Sequence, residues 1–542
     1  MRIAAPLTIA FAFTLSAGLG VAQTATAPGS ACERLAGLKL PHARVTMATE
    51  VEAGAFIGPR NPYSGQSDAA FFKKLPAFCR VVVDSHPSAD SDILIEVWMP
   101  LEGWNGRLLG EGNGGFAGSI GYEDMGSAVG MGYATAGTNT GHSASFIDAR
   151  WALGHPEKVA DFGYRGIHEM TTIAKTVVEQ FNGAGAKRSY FASCSDGGRE
   201  ALMEAQRFPA DYDGILAGAP ANNWSALLTT AAVDTLALTA TPGSYIPPAK
   251  IPTIANAVLA ECDALDGLKD GILNDPRKCH FNPATIECKA GEDTNACLTA
   301  AQVTALKTLY AGPRDAKGHS VFPGYLPGAE EGGNGWGTWI FGPAPGRSLI
   351  AMFGEGYFSD MVYDKADWDL KSFRLESGLR EAREKTLAEL DATNPDLSAF
   401  EARGGKLILY HGWNDPAISA VNTVNYYNSV EAKLGRATTD SFVRLYMIPA
   451  MQHCMGGPGA DMIGQFLAWP LNDPQHNVRI ALEDWVEKGT APGTLTATKT
   501  AGDDPAGAAT MTRLLCAYPQ EAVYKGGDPN RAESFACKAS VQ

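Results

Sequence analysis

From about residue 90 the apolar positions fall into two alternating rhythms. Short runs in which nearly every position is apolar or small, such as "SDILIEVWMP" (91–100), "GRLLGEG" (106–112), "GYATAGTNT" (132–140), "RSYFASC" (188–194) and "YDGILAGAP" (212–220), have the length and composition of buried strands. Between them the spacing changes to that of a helix. Ile167, Met170, Ile173, Val177 and Phe181 recur on one face of 164–181, and Ala201, Leu202 and Ala205 do so after a glycine turn. Strands alternating with helices imply a mainly parallel sheet with crossover helices. The alternation stops at about 222 and resumes at about 401, with "GKLILYHGWNDP" (405–416), "SFVRLYMIPAMQHC" (441–454) and the amphipathic "NVRIALEDWVEKG" (477–489). We therefore expect one α/β domain, residues 23–221 and 401–542, interrupted by an inserted domain over 222–400. An insertion leaving the carboxyl ends of the strands covers the place where open α/β sheets bind ligands.

The first residues change the picture of where the chain works. Arg2 precedes an apolar, alanine-rich stretch that ends in small residues near Ala22, the pattern of a cleavable export leader over residues 1–22. No later run is apolar for long enough to span a bilayer. A periplasmic or extracellular protein is expected. All ten cysteines follow the proposed cut, and an even number in an exported chain favours disulfides. Cys262, Cys279, Cys288 and Cys297 with His280 could be drawn as a zinc site, but they lack the C-x-x-C spacing of one. The formal net charge of −15 argues against nucleic acid or an anionic membrane as a partner.

The chemistry concentrates at "FASCSDGGRE" (191–200). A sharp strand-to-helix turn that exposes a nucleophile needs small residues two positions either side of it, as in G-x-S-x-G. Here Ser193 and Gly197 take those places around Ser195. Two later strands end in loops that offer Asp415 and then His453, the serine, acid, histidine order of an α/β-hydrolase. His411, placed before the acid, is the rival histidine and reads better as structural or substrate-lining. The glycine-rich "GEGNGGFAG" (110–118) suits an oxyanion-binding loop, with Gly114 as the first donor and Gly115 next to it, and the amide of Asp196 as the second donor. Cys194 adjoins Ser195 and Cys454 adjoins His453. If serine and histidine meet, the two cysteines meet as well.

The C-S-D-G-G turn with its H-C pair resembles the tannase and feruloyl esterase family of secreted serine hydrolases. So do "YDGILAGAPANNW", "GWGTWIFGPAPGRS" and "HGWNDP", and the similarity runs over nearly the whole chain beyond the leader. The resemblance implies an α/β-hydrolase fold with a large lid, a triad of Ser195, Asp415 and His453, and the disulfide Cys194–Cys454. It further implies Cys32–Cys79, Cys262–Cys279, Cys288–Cys297 and Cys516–Cys537, an arrangement like that of the family's mono(2-hydroxyethyl) terephthalate hydrolases.

A second site is suggested by "CDALDGLKDGI" (262–272). Asp263, Asp266 and Asp270 around glycines offer hard oxygen ligands, though not at the spacing of an EF-hand. By spacing alone a solvated acidic turn accounts for them equally well. The family resemblance implies structural calcium, with the carbonyls of Leu268 and Ile272 completing the shell. It also implies a small aromatic ester as substrate, of a hydroxycinnamic or hydroxybenzoic acid. Trp336, Trp339, Phe353, Tyr357 and Phe358 are candidates for an acyl pocket in which one or two would touch substrate. Arg347 could meet a carboxylate, as terephthalate monoester hydrolysis would require. Outside enzymes, the alternative is a calcium-stabilised protein that binds an aromatic ligand without turning it over, for which an ordered serine, acid and histidine have no use.

Overall fold

The computed structural model describes Met1 and residues 30–61, 65–66, 68–466 and 470–539. The leader expected over 1–22 lies, apart from Met1, outside the described residues. Ten strands make the main sheet: β1 (Lys39–Leu40), β2 (Ala43–Val51), β3 (Phe78–Ser85), β4 (Ile93–Pro100), β5 (Arg107–Glu111), β6 (Ala134–Thr138), β7 (Arg188–Cys194), β8 (Gly214–Gly218), β9 (Lys406–Gly412) and β10 (Val443–Ile448). Their order is β1-β2-β3-β4-β6-β5-β7-β8-β9-β10. From β6 to β10 the pairing is parallel, whereas β1 to β4 join one another and β6 antiparallel.

The parallel strands are apolar at consecutive positions because both faces are covered. Phe191, Ile215, Ala217, Leu407, Leu409 and Leu445 point to one face, against Ile167, Met170 and Val177 of the helix Gly166–Asn182 and Ala201, Leu202 and Ala205 of Asp196–Arg207. Tyr190, Leu216, Ile408 and Tyr410 point to the other, against Val478, Ala481, Leu482 and Trp485 of the helix Val478–Lys488. The register aligns Phe191 with Ile215 and Ile215 with Leu407, so each layer is continuous across the sheet.

Two regions depart from the alternation read in the sequence. The antiparallel arm before β4 has in β2 a strand with only Val45 buried, so no apolar run marks β2. Beyond the helix Val478–Lys488 lie two antiparallel pairs, Thr494–Thr500 with Ala509–Cys516 and Gln520–Tyr524 with Phe535–Ala539. All ten cysteines are paired, as Cys32–Cys79, Cys194–Cys454, Cys262–Cys279, Cys288–Cys297 and Cys516–Cys537.

Between Gly218 and Lys406 the chain adds no strand to the sheet. It forms helices, chiefly Trp224–Thr239, Leu349–Gly356 and Leu375–Leu390, around apolar clusters of its own. Leu409 sits fully buried in the middle of β9, between β8 and β10. Its replacement by alanine leaves a cavity and is expected to cost about 2–5 kcal/mol, measured by urea denaturation.

Candidate active site

β7 ends at Cys194 and a helix starts at Asp196, so the chain turns within Ser195, whose φ is 68° and ψ −122°. A non-glycine residue at positive φ is costly and is kept only where the surroundings enforce it. Here they do. A Cβ on Gly197 would lie 1.9 Å from Ser193 Oγ, and one on Gly198 2.2 Å from the carbonyl oxygen of Gly218. The helix therefore packs against β7 and β8 at a distance that only glycine allows. Ser193 fits in place of the more usual glycine, its side chain filling the gap in front of Gly197.

The strands β9 and β10 deliver the partners. His453 Nε2 lies 2.9 Å from Ser195 Oγ, and His453 Nδ1 lies 2.8 Å from Asp415 Oδ2. Asp415 Oδ1 accepts the amides of Ala417 and Ile418 at 2.7 and 2.9 Å. His411 is fully buried behind this pair: its Nε2 donates at 3.1 Å to both Asp415 Oδ2 and the carbonyl of Ile418, and its Nδ1 accepts from Thr423 Oγ1 at 2.7 Å. Two acceptors at one ring nitrogen identify that nitrogen as the protonated one. His411 thus supports the acid and does not reach Ser195. Burial alone would raise the Asp415 carboxyl, but the charge of His453 and hydrogen bonds from His411 and His453 outweigh it. They hold the group well below the ordinary carboxylate range.

Two amides complete the constellation. Among the described residues no hydrogen bond takes the amide of Gly114 or of Asp196, and both residues line the cavity in front of Ser195. The 112–115 loop is fixed from behind. Glu200 accepts the amide of Asn113 at 2.9 Å, and Gly197 donates to the carbonyl of Asn113 at 2.8 Å. Burial, with the charge of Asp196 adding to it, pushes the Glu200 carboxyl up to about 8. Arg199, itself fully buried, donates to the Asp196 carboxylate at 2.6 Å and to the carbonyls of Gly163 and Phe162 at 2.6 and 3.0 Å.

The cavity has a volume of about 1140 Å³. Ser195, His453 and the 112–115 loop form its floor, and Trp224, Leu227, Leu228, Leu349, Ile350, Phe353 and Trp339 form its apolar walls. Trp339 meets the His453 ring edge-on, centroids 4.7 Å apart, and lies parallel to Phe353 at 6.3 Å. Of the five aromatic candidates Trp339 and Phe353 line it, whereas Trp336, Tyr357 and Phe358 do not. Trp336 packs among Tyr310, Tyr325 and Phe341, and Phe358 among Tyr357, Trp368 and Phe373. A helical insertion must bury a core of its own, and most of its aromatics go there. Arg347 is exposed and lies outside the lining as well. Leu227, Leu228 and Ile350 were not singled out in the sequence. The helix Trp224–Thr239 carries a signal that could have found the first two: its apolar residues are spread around the axis rather than on one face, with one side for the core and another left for the cavity.

In the 263–272 loop Asp263 accepts the amide of Gly271, Asp266 those of Leu268 and Asn274, and Asp270 that of Ile272. Arg513 Nη2 donates to Asp270 Oδ2 at 2.8 Å. The three carboxylates do not draw together within the span of one ion. Their donor set still fits calcium: all are hard oxygens on one tight loop, each bonded oxygen keeps a second lone pair, and three acids against one arginine leave a net negative charge.

A serine on a strand-to-helix turn, with acid and histidine after the last two strands of a parallel sheet, defines an α/β-hydrolase. The chain belongs, within that class, to the tannase and feruloyl esterase family, whose model matches residues 79–538. It is a carboxylic ester hydrolase. It is 40% identical to an uncharacterized esterase of Xanthomonas campestris pv. campestris over 96% of this chain and 93% of that one. It is 35% identical to a probable feruloyl esterase B of Aspergillus clavatus, over 90% of this chain and 91% of the relative. The crystal structure of feruloyl esterase B from Aspergillus oryzae superposes with a TM-score of 0.85 at 30% identity, covering 94% of this chain and 99% of that one.

Gly198→Ala should destabilise the protein by several kcal/mol, seen as a lowered melting temperature, because the new methyl meets backbone atoms. A carboxyl held below its unfolded value contributes stability that is complete above about pH 4 and lost as pH falls towards its folded value. Wild-type stability should therefore fall more steeply between about pH 4 and pH 2 than that of Asp415→Asn, measured by denaturant titration at each pH.

Proposed function

We propose that the protein is a serine esterase that cleaves esters of aromatic acids, hydroxycinnamic or hydroxybenzoic, through an acyl-enzyme. The observation that carries this reading is the Ser195–His453–Asp415 chain, at 2.9 and 2.8 Å, opening into a cavity walled by Trp339, Phe353 and Trp224. His453 Nε2 takes the Ser195 proton as Oγ attacks the ester carbonyl. Asp415 fixes the Nδ1–H tautomer and stabilises the imidazolium that forms. The amides of Gly114 and Asp196 receive the developing oxyanion, each such donor contributing about 3–4 kcal/mol to the barrier. His453 then gives its proton to the leaving alcohol. Water, deprotonated by the same nitrogen, releases the aromatic acid and regenerates Ser195. The feruloyl esterases among its relatives support an aromatic acyl group.

A terephthalate monoester carries a second carboxylate, and no arginine or lysine lines the cavity among the described residues. Hydroxycinnamates and hydroxybenzoates, with phenolic rather than anionic far ends, suit these walls better. The five disulfides and the leader-like N-terminus support export, and among the described residues no helix is long and apolar enough to cross a membrane. Asp263, Asp266 and Asp270, with the carbonyls of Leu268 and Ile272, would hold a structural calcium. Bound there, the ion would neutralise the acidic loop and take no part in the acyl transfer.

The reading is tested on methyl ferulate, methyl gallate, chlorogenate, a terephthalate monoester and a short aliphatic ester, with wild type and Ser195→Ala. Selective cleavage of an aromatic hydroxy-acid ester, reduced by roughly four orders of magnitude or more in the variant, is expected. Preference for the aliphatic ester would sink the substrate assignment, and equal inactivity of both proteins would sink the mechanism. Chelation of calcium should lower the melting temperature of wild type and leave that of Asp266→Asn unchanged.

A further inference from the structure

The helix that begins at Asp196 carries a second cluster, away from the cavity. Glu204 lies eight residues along it, about 12 Å from the nucleophile turn at 1.5 Å per residue. His168 reaches it from the helix Gly166–Asn182 and Asp211 from the turn before β8. One ligand atom from each of the three lies within 4.8 Å of the other two. None of them lines the cavity or belongs to the calcium loop.

Glu204 supplies the independent observation. It is 1% exposed, neither of its carboxylate oxygens meets an N–H or hydroxyl donor among the described residues, and the Asp211 carboxyl lies beside it at hydrogen-bonding distance. The one lysine paired within this cluster, Lys175, stands 3.9 Å from Asp211 and serves that carboxylate. A buried carboxylate without donors is costly, and such groups are retained where they are paired, protonated or bound to a metal. The other two members are already aligned, with His168 Nδ1 and Asp211 Oδ2 2.7 Å apart. The His168 ring is stacked on Phe208 at 3.9 Å, which sets its plane, and its side chain is 32% exposed, which leaves a way in from solvent.

We infer that His168, Glu204 and Asp211 form a binding site for a divalent transition ion of zinc type. One imidazole nitrogen and two carboxylate oxygens are a donor set of intermediate softness, distinct from the all-oxygen shell that calcium takes. The ion takes the place of the hydrogen shared between His168 and Asp211, which leaves to solvent as a proton, and the two ligand atoms part from 2.7 Å to admit it. His168 then presents the Nδ1 lone pair and carries its proton on Nε2, and three protein ligands leave a position for water. The site joins the helix Gly166–Asn182, the helix behind Ser195 and the turn into β8, so the ion acts as a crosslink beneath the nucleophile turn.

Zinc titrated into the full-length, calcium-loaded protein is expected to bind at one ion per chain by calorimetry and to raise the melting temperature. Cobalt(II) in its place should give the visible absorption of a low-coordinate nitrogen–oxygen site. Glu204→Gln and His168→Gln should each weaken zinc binding at least about 100-fold, beyond what loss of an outer-shell partner costs. His168 is partly exposed, so its variant keeps the test decisive if Gln at 204 unfolds the helix. Asp266→Asn, in the calcium loop, should leave zinc uptake unchanged. Uptake that is absent from wild type, equal in wild type and His168→Gln, or lost only in Asp266→Asn overturns the assignment and leaves Glu204 and Asp211 as a pair sharing a proton. Hydrolysis of the ester panel is scored separately, so this inference and the proposed esterase reaction fail independently.

Discussion

The disulfide between Cys194 and Cys454 ties the residue before Ser195 to the residue after His453. It spans the ends of β7 and β10, with β8 and β9 between them. Closing a loop of 260 residues removes at most about 6 kcal/mol of unfolded-state entropy, less where other crosslinks shorten it. Its local consequence is larger. Ser195 and Cys454 both have positive φ, 68° and 62°, conformations that two free loops would relax away from. With the sulfurs joined and Gly197 and Gly198 packed against β7 and β8, serine and imidazole are held in hydrogen-bonding contact before any substrate arrives.

The insertion shares in that constraint. Asn414, next to Asp415, donates to the carbonyls of Pro327 and Gly328, and Gln452, next to His453, donates to that of Ala329. Asn334 reaches back from the insertion to the carbonyls of His453 and Met455 at 2.7 and 2.9 Å, and its own side-chain oxygen accepts from the Trp339 indole. Each of these bonds fills a backbone group that would otherwise be unpaired where the sheet loops turn under the insertion. The segment 327–339 is thus both a wall of the cavity and the support of the acid and histidine loops. The lining of the cavity and the alignment of the site rest on the same residues.

Buried charge is used in the same way on the other side of Ser195. Arg199 has no exposed surface, yet it is answered by Asp196 and two carbonyls, and it lies over the rings of Phe162 and Trp224 at 4.7 and 5.2 Å. A guanidinium taken out of solvent needs partners on this scale. It fixes the residue whose amide is proposed to receive the oxyanion to the segment preceding the helix Gly166–Asn182.

What the sequence by itself determined is what local pattern can report. Mostly apolar runs marked β4 to β10, because strands covered on both faces leave few polar positions. Gly197 and Gly198 marked the turn, because no larger residue permits the close approach there. The order of Ser195, Asp415 and His453 followed from which strand each one ends, and the adjacency of Cys194 and Cys454 followed from that order. The largely exposed β1 and β2 and the hairpins after residue 493 had no such rhythm and went unread, as did the buried β3. Only the tertiary structure decided which aromatics face the cavity. Trp339 and Trp336 are three residues apart in one aromatic run, yet one meets His453 and the other is core. The same holds for His168, Glu204 and Asp211, each ordinary in its own segment. Whether a side chain meets solvent, a neighbour or a ligand depends on elements distant in the chain, and no periodicity within its own element records what will pack against it.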